Sequence, residues 1–280
     1  MSRSNRKNVA EDTLLILAEG FYKNGLGEQV SLNPMLEEAV EKTIMYRPNE
    51  FKKVLRERDA ILSALPKYKT VFEVENETTL HAAQRLLTVS DNVVCLNFAS
   101  AKNPGGGFLN GSQAQEESLA RASGLYSSLN QKREMYDYNR REKTCFYSDY
   151  MIYSPKLPVF RDDADVLLDQ PYGAAFITSP AVNVGAMSKK EAQKLDNIEA
   201  VMSQRMERVL SLAVVHGHDT LVLGAWGCGV FGNDPVDMAR YFYQLLGENS
   251  IFEGAFRHIA FAVLDSSRSE RYIRPFRELF

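Results

Sequence analysis

Three consecutive glycines, Gly105, Gly106 and Gly107, are followed after seven residues by Gln115, Glu116 and Glu117. Glycine lets a backbone run against a ligand. Gln115 opens a helical stretch, and a helix N-terminus favours each nearby carboxylate by about 0.3–1 kcal/mol. That dipole accounts for acidic residues here but not for the glycines before them. Two like charges crowded into one site do not both ionise easily, so one pKa rises. A protonated glutamic acid can donate to a glycosidic oxygen near neutral pH, while an ionised neighbour grips sugar hydroxyls. Successive helical residues point about 100° apart, so Glu116 and Glu117 have different tasks. Asn97 and Asn103 lie on either side of a strand exit, and either amide suits a ribose hydroxyl.

A second loop, GAWGCGVFGND, carries Gly224, Gly227, Gly229 and Gly232 between a strand and a helix that opens at Asp234-Pro235. Open backbone N–H groups beside a helix N-terminus make an anion nest, and a phosphate or diphosphate is the natural guest. The loop is not a Walker A motif, since no Gly-Lys-Ser/Thr follows. Nor is it a dinucleotide fingerprint, since the acidic residue at the end of a second strand is lacking. Cys228, inside the loop, has no identifiable base beside it, and a small residue fitting a tight turn is the expectation.

Other clusters carry less chemistry. His216 and His218 lack further zinc ligands, and a loop or capping role is expected. Asp162, Asp163 and Asp165 do not follow a calcium-loop pattern and read as a solvated turn. Tyr147, Tyr150 and Tyr153 are expected on one strand face, with one of them a candidate to cover an adenine. No metal cluster and no cofactor are expected.

The elements that must position these residues follow from periodicity. Apolar residues are 45% and charged residues 25% of 280, as in a soluble globular chain able to bury a core without covalent staples. A net charge of −3 disfavours bulk nucleic-acid binding, so an anion must be held by local geometry. Three scattered cysteines argue for a reducing compartment, and the cytoplasm is expected. No run approaches the length of a membrane helix. The basic start, MSRSNRKN, reads as a frayed tail.

Helices are predicted at EDTLLILAEGFYKNG, with Gly25 as the stop, and at NPMLEEAVEKTI, with Asn33 as cap and Pro34 in the first turn. A third is predicted at EFKKVLRERDAIL. From Lys69 onward strands and helices alternate: strands at 69–76, 92–99, 173–182, 220–223 and HIAFAVLD, with helices between them. One long helix is expected from Lys189 onward, with Leu195, Ile198, Val201, Met202, Met206, Val209 and Leu210 on one side. Pro155 and Pro158 make MIYSPKLPVF an edge hairpin. The alternation predicts an α/β fold with a largely parallel sheet, and ligands gather beyond the carboxyl ends of such strands.

The stretch NFASAKNPGGGFLNGSQAQEES resembles the bacterial-type poly(ADP-ribose) glycohydrolases, whose signature is GGG, a short spacer, then QEE. The order of strand, Asn-rich exit and glycines is also similar to the macrodomain on which these enzymes are built, and GAWGCGVFGND resembles its diphosphate loop. The resemblance implies a three-layer α/β/α domain over residues 69–280, with residues 1–68 an N-terminal helical accessory region. It implies that Glu117 is the general acid/base, that Glu116 orients the ribose and that Gln115 braces the site. Asn103 would hold the distal ribose, and Gly105–Gly107 would pass close to the substrate. Gly227, Cys228, Gly229, Val230 and Gly232 would bind the diphosphate, with Phe231 near the scissile ribose. The implied partners are poly(ADP-ribose), ADP-ribose and poly(ADP-ribosyl)ated proteins, with cleavage mainly at chain ends; from charge and hydropathy, neither specific DNA nor a membrane is expected, and the sequence does not fix the oligomeric state, for which a monomer is the expectation. The residues leave open a non-hydrolysing ADP-ribose reader and an enzyme acting on mono-ADP-ribosylated protein. A metal-dependent nucleotide hydrolase is disfavoured, because no carboxylate set accompanies the loops.

Overall fold

The computed structural model describes residues 1–187 and 192–280. The predicted helical start at Lys189 lies outside the described residues. In chain order the elements are α1 (Arg3–Glu19), β1 (Phe21–Lys23), β2 (Gln29–Ser31), α2 (Met35–Glu41), β3 (Ile44–Tyr46), α3 (Phe51–Ala64), β4 (Val71–Glu75), α4 (Thr79–Leu86) and β5 (Val93–Phe98). Then come α5 (Gln115–Ala122), α6 (Leu125–Asn130), α7 (Arg133–Arg141), β6 (Met151–Arg161), β7 (Leu167–Ser179), α8 (Ile198–Val215), β8 (Thr220–Leu223), α9 (Pro235–Leu246), β9 (His258–Ala262) and α10 (Arg274–Leu279).

Seven strands form the main sheet in the order β3-β6-β7-β5-β8-β9-β4. From β7 to β4 neighbouring strands are parallel, with Val94 opposite Ala175 and Thr220 opposite His258. β6 runs antiparallel to β7 and to β3. Side-chain alternation builds a core on each face. Val94, Leu96, Leu221, Leu223, Ile259 and Phe261 pack toward α3, α8 and α9. Val93, Cys95, Val222, Ala260 and Ala262 pack toward α4, α5 and α6. The result is the α/β fold with a largely parallel sheet that the alternation predicts, in the three-layer α/β/α arrangement that the resemblance implies.

Several local expectations are corrected. The N-terminal tail is helical: Ser2 caps Asn5, and α1 starts at Arg3. That helix stops at Gly20, whose φ of 76° and N–H to Ile16 close it, so Gly25 falls instead in the turn of the β1–β2 hairpin. Asn33 does not cap α2; its amide bonds the Glu37 carboxylate at 2.9 Å, and Pro34 stands one position before the helix. Within the region read as an N-terminal helical extension, Ile44–Tyr46 pair with Met151–Tyr153 in the main sheet. The β6–β7 hairpin is therefore interior at its start. Its prolines lie past the three paired residues, and Pro155 falls in the register shift between Ser154 and Leu157, where a missing N–H costs no ladder bond. α8 begins only at Ile198, after a 3-10 turn over Ala192–Asn197, and Leu195 on that turn is exposed. Met202, Met206, Val209 and Leu210 are buried core, as expected. The three tyrosines do not share a face. Their spacing of three sends Tyr150 and Tyr153 to opposite cores, and Tyr147 sits before β6 with a positive φ.

Candidate active site

Beyond the carboxyl ends of the parallel strands lies a cavity of about 690 Å³. The last residue of β5, Phe98, and the loop after it, with Ser100, Asn103, Gly106 and Gly107, join its wall, and the start of α5 supplies Gln115, Glu116, Glu117 and Ser118. The loop after β8 supplies Ala225 to Phe231. The two glycine loops and the carboxylate pair, far apart in sequence, thus face one space.

The triple glycine acquires its reason here. Gly106 has a φ of +61°, and a Cβ built on it would overlap Glu117 Oε1. The next residue, Gly107, donates its N–H to that same oxygen at 2.9 Å. One glycine makes room for the carboxylate and its neighbour pins it. Oε1 is thereby fixed.

Glu116 is held differently. It is 3% exposed and accepts from the Ser100 N–H at 2.6 Å and from Asn97 Nδ2 at 3.3 Å. Burial pushes its pKa up to about 8, and the nearby Glu117 charge adds to the rise, against the lowering effect of the Ser100 and Asn97 hydrogen bonds. Mutual repulsion is therefore the lesser cause, and the raised group is the first glutamate of the pair. Gln115 braces the entry to α5: its side-chain oxygen accepts from Phe98 N at 2.8 Å, and its nitrogen donates to Leu96 O at 2.7 Å and Thr79 Oγ1 at 3.0 Å. It ties the helix start to the end of β5.

The fold also braces this segment from behind. Arg3 Nε donates to Asn110 O and Arg6 Nε to Gly111 O, each at 2.9 Å. Thr13 Oγ1 donates to Arg121 O at 2.7 Å, one helical turn after Glu117. At Gly111, with a φ of +69°, any Cβ would overlap the Arg3 carbonyl oxygen. The N-terminal helix is thus pressed onto the connection between the glycines and the carboxylates.

The second loop is closed on itself at its ends. Trp226 N bonds Gly224 O, Gly232 N bonds Gly229 O, and Asn233 N bonds Gly227 O. Asn233 Nδ2 reaches Val182 O at 2.7 Å and Gly227 O at 3.1 Å. Among the described residues, the N–H groups of Gly227, Gly229, Val230 and Phe231 have no hydrogen-bond acceptor within the chain. Asp234 caps the following helix through Val236 N. This is the geometry of an anion nest. Cys228 is buried and its thiol pKa is pushed well up by burial, which suits a packing residue and not a nucleophile.

Not every candidate faces the cavity. Asn97 is fully buried behind Glu116, bonded to it and to Thr178 Oγ1, so it reaches a substrate only through that carboxyl. Gly105 and Gly232 shape their loops without joining the wall. The wall includes residues sequence reasoning did not single out: Phe98, Ser100, Trp226, the 77–80 segment, Leu264 and Tyr272; it also includes Asp163, which was expected only in a solvated turn. Glu77 to Leu80 follow β4 and Leu264 follows β9, so the rule that sites gather at strand ends was the available signal. No comparable signal marks Tyr272.

The remaining clusters are structural. His216 caps α8, stacks on Tyr153 at 3.5 Å and bonds the Tyr46 hydroxyl at 2.8 Å. Asp165 pairs with the buried Arg121, and Asp162 closes the β6–β7 turn. Among the described residues no group of three His, Cys, Asp or Glu side chains could hold a metal ion.

The family model described as microbial-type PARG, catalytic domain, matches residues 10–162, which include both the triple glycine and the QEE triplet. The chain belongs to the microbial-type poly(ADP-ribose) glycohydrolases. Solved structures of this family extend the likeness past the matched segment. Poly(ADP-ribose) glycohydrolase from Thermomonospora curvata bound to the inhibitor ADP-HPD is 44% identical, with 99% of this chain and 100% of that chain covered and a TM-score of 0.91. Another structure of the Thermomonospora curvata enzyme gives a TM-score of 0.93 at 44% identity, with the same coverage. The Deinococcus radiodurans enzyme in complex with ADP-ribose is 43% identical, with 88% of this chain and 96% of that chain covered and a TM-score of 0.81. No curated protein matches.

Proposed function

We propose that the chain hydrolyses the ribose–ribose O-glycosidic bonds of poly(ADP-ribose) and releases ADP-ribose, with Glu117 as the general acid and base. The observation that carries this reading is the seating of Glu117 Oε1 in the space left by Gly106, pinned by the Gly107 N–H, on the wall shared with the anion nest. A module that only bound ADP-ribose would need the nest but not a carboxyl fixed at one oxygen.

In the first step the Glu117 proton passes to the leaving 2′-oxygen as the bond to the ribose C1″ breaks, and positive charge builds on that carbon. In the second step the Glu117 carboxylate takes a proton from water, and the water oxygen bonds to C1″. Glu116, neutral at pH 7 because of its burial, donates to a ribose hydroxyl and adds no second negative charge beside Glu117. Asn103 holds the same sugar. The N–H groups of Gly227, Gly229, Val230 and Phe231 hold the diphosphate, and Phe231 packs on the ribose. No step calls for a metal ion.

Cleavage runs mainly from chain ends, the substrate in the cell is poly(ADP-ribosyl)ated protein, and the chain acts as a monomer. Three scattered cysteines suit a reducing compartment such as the cytoplasm, and no described helix is long and apolar enough to cross a membrane. The test is release of ADP-ribose from purified polymer compared with release from a mono-ADP-ribosylated protein. Release from the polymer alone supports the reading, and release only from the mono-modified protein overturns it.

A further inference from the structure

Two basic side chains adjoin residues of the cavity wall. Asn103 on the wall is met by Arg140 Nη2 at 3.4 Å. Lys102, the residue before it, holds its ammonium 5.8 Å from the centre of the Tyr147 ring. That ring lies 6.0 Å from Phe231, also on the wall. Lys102 and Arg140 are both exposed. Arg140 shares its charge with Asp137 at 2.7 Å, while among the described residues Lys102 enters no ion pair. The acidic wall residues outside the Glu116–Glu117 pair, Glu77 and Asp163, belong to a separate stretch of the wall, where Thr78 Oγ1 donates to Asp163 Oδ2 at 2.6 Å. Two exposed cations thus stand beside Asn103, in a chain whose net charge is −3.

We propose that Lys102 and Arg140 form a second anion subsite, which takes the diphosphate of the polymer unit on the leaving side of the scissile bond. The proposal rests on the glycohydrolase reading above. The diphosphate of the unit being released is already provided for by the nest at 227–231. Glu117 and Asn103 mark where the leaving ribose emerges. In the polymer that ribose carries another diphosphate on its 5′ carbon, so an anion must lie just outside the mouth on this side. A guanidinium and an ammonium flanking Asn103 suit it, the first as a planar fork and the second as a point charge. Both are solvated, so they act on capture of the polymer and leave the chemical step alone.

The test is steady-state release of ADP-ribose from purified poly(ADP-ribose) over a range of salt, with free ADP-ribose binding measured alongside. For the Lys102→Ala/Arg140→Ala variant, KM at low salt rises roughly five- to tenfold, and the slope of log KM against log salt falls by about 1 to 2. Its kcat and its affinity for free ADP-ribose stay at native values, and Lys102→Arg with Arg140→Lys restores KM. A native KM and salt slope in the alanine variant overturn the subsite. So does a KM rise matched by an equal loss of ADP-ribose affinity, which would assign these cations to the released unit or to folding. A native chain that frees nothing from the polymer sinks both readings, whereas active native protein with an indifferent variant sinks the subsite alone.

Discussion

At the scale of single residues, the site turns on Gly106. Its positive φ and missing Cβ create the space that Glu117 Oε1 occupies. Gly106→Ala brings two costs together: backbone strain of about 1–3 kcal/mol and a methyl group against the acid. The carboxyl must swing away, and under the proposed mechanism such a misplacement costs on the order of 10²-fold in rate. The expected outcome is a folded protein, by circular dichroism and melting, whose kcat on polymer falls about a hundredfold. A variant with native kcat would mean that Glu117 does not need this seat. Much of this was legible as types and spacing: three glycines, then an acidic pair, demanded a chemical explanation. What stayed hidden was the pairing of one particular glycine with one particular oxygen. That contact arises only when α5 folds back over the loop, and no local pattern in 103–117 encodes the angle.

At the scale of elements, α1 does more than cover the surface. Arg3 and Arg6 hold the carbonyls of Asn110 and Gly111, and Thr13 holds the far end of α5, so both ends of the segment that carries Glu116 and Glu117 are tied to one helix. Arg6→Ala removes a part-buried charged hydrogen bond and should cost about 1–3 kcal/mol. Because the lost bond lies on the connection and not on the cavity, kcat on polymer should fall more than affinity for ADP-ribose, and Arg6→Lys should recover part of it. Stability and kcat both unchanged would show that α1 does not position the segment. Sequence reasoning read residues 1–8 as a frayed tail because their charges look solvated. The acceptors they find are backbone carbonyls more than a hundred residues away, which composition does not display. The buried strands were readable because a strand covered on both faces is a plain apolar run, as in 92–99. β3 was not, since three residues carry too little pattern and their partner lies across the chain at 151–153.

At the scale of the whole molecule, burial of two titratable groups sets opposite pH limits on stability. Glu116 has a folded pKa of about 8 against an ordinary 4.5. The folded state holds the extra proton between those values, so this contribution is complete below about pH 4.5 and is lost as pH rises through 8. His216, whose pKa burial lowers to about 4 with help from His218, behaves in the other sense. The unfolded chain takes up its proton first, so stability is lost as pH falls from about 6.5 toward 4. Between about pH 4.5 and 6.5 the two slopes oppose each other, so thermal melting should hold a plateau there, fall between about pH 6.5 and 8, and dip again toward pH 4. Glu116→Gln should flatten the alkaline side, and His216→Gln the acid side, whatever each does to the height of the curve. An alkaline slope that survives Glu116→Gln would remove Glu116 as its source. The fold class was legible from alternation alone, and both glycine loops fell at the sheet edge where ligands gather. The charge state of the carboxylate pair was not, because it follows from which glutamate the three layers bury.

The central claim is that Glu117 supplies the proton for glycosidic cleavage from a seat built by Gly106 and Gly107. The most direct measurement is single-turnover release of ADP-ribose from purified poly(ADP-ribose) by the native chain and by Glu117→Gln, with ADP-ribose affinity measured in both. The native chain should release ADP-ribose, and Glu117→Gln should be about 10²- to 10⁴-fold slower, with affinity for ADP-ribose within a few-fold of native. Release by Glu117→Gln at the native rate would contradict the claim.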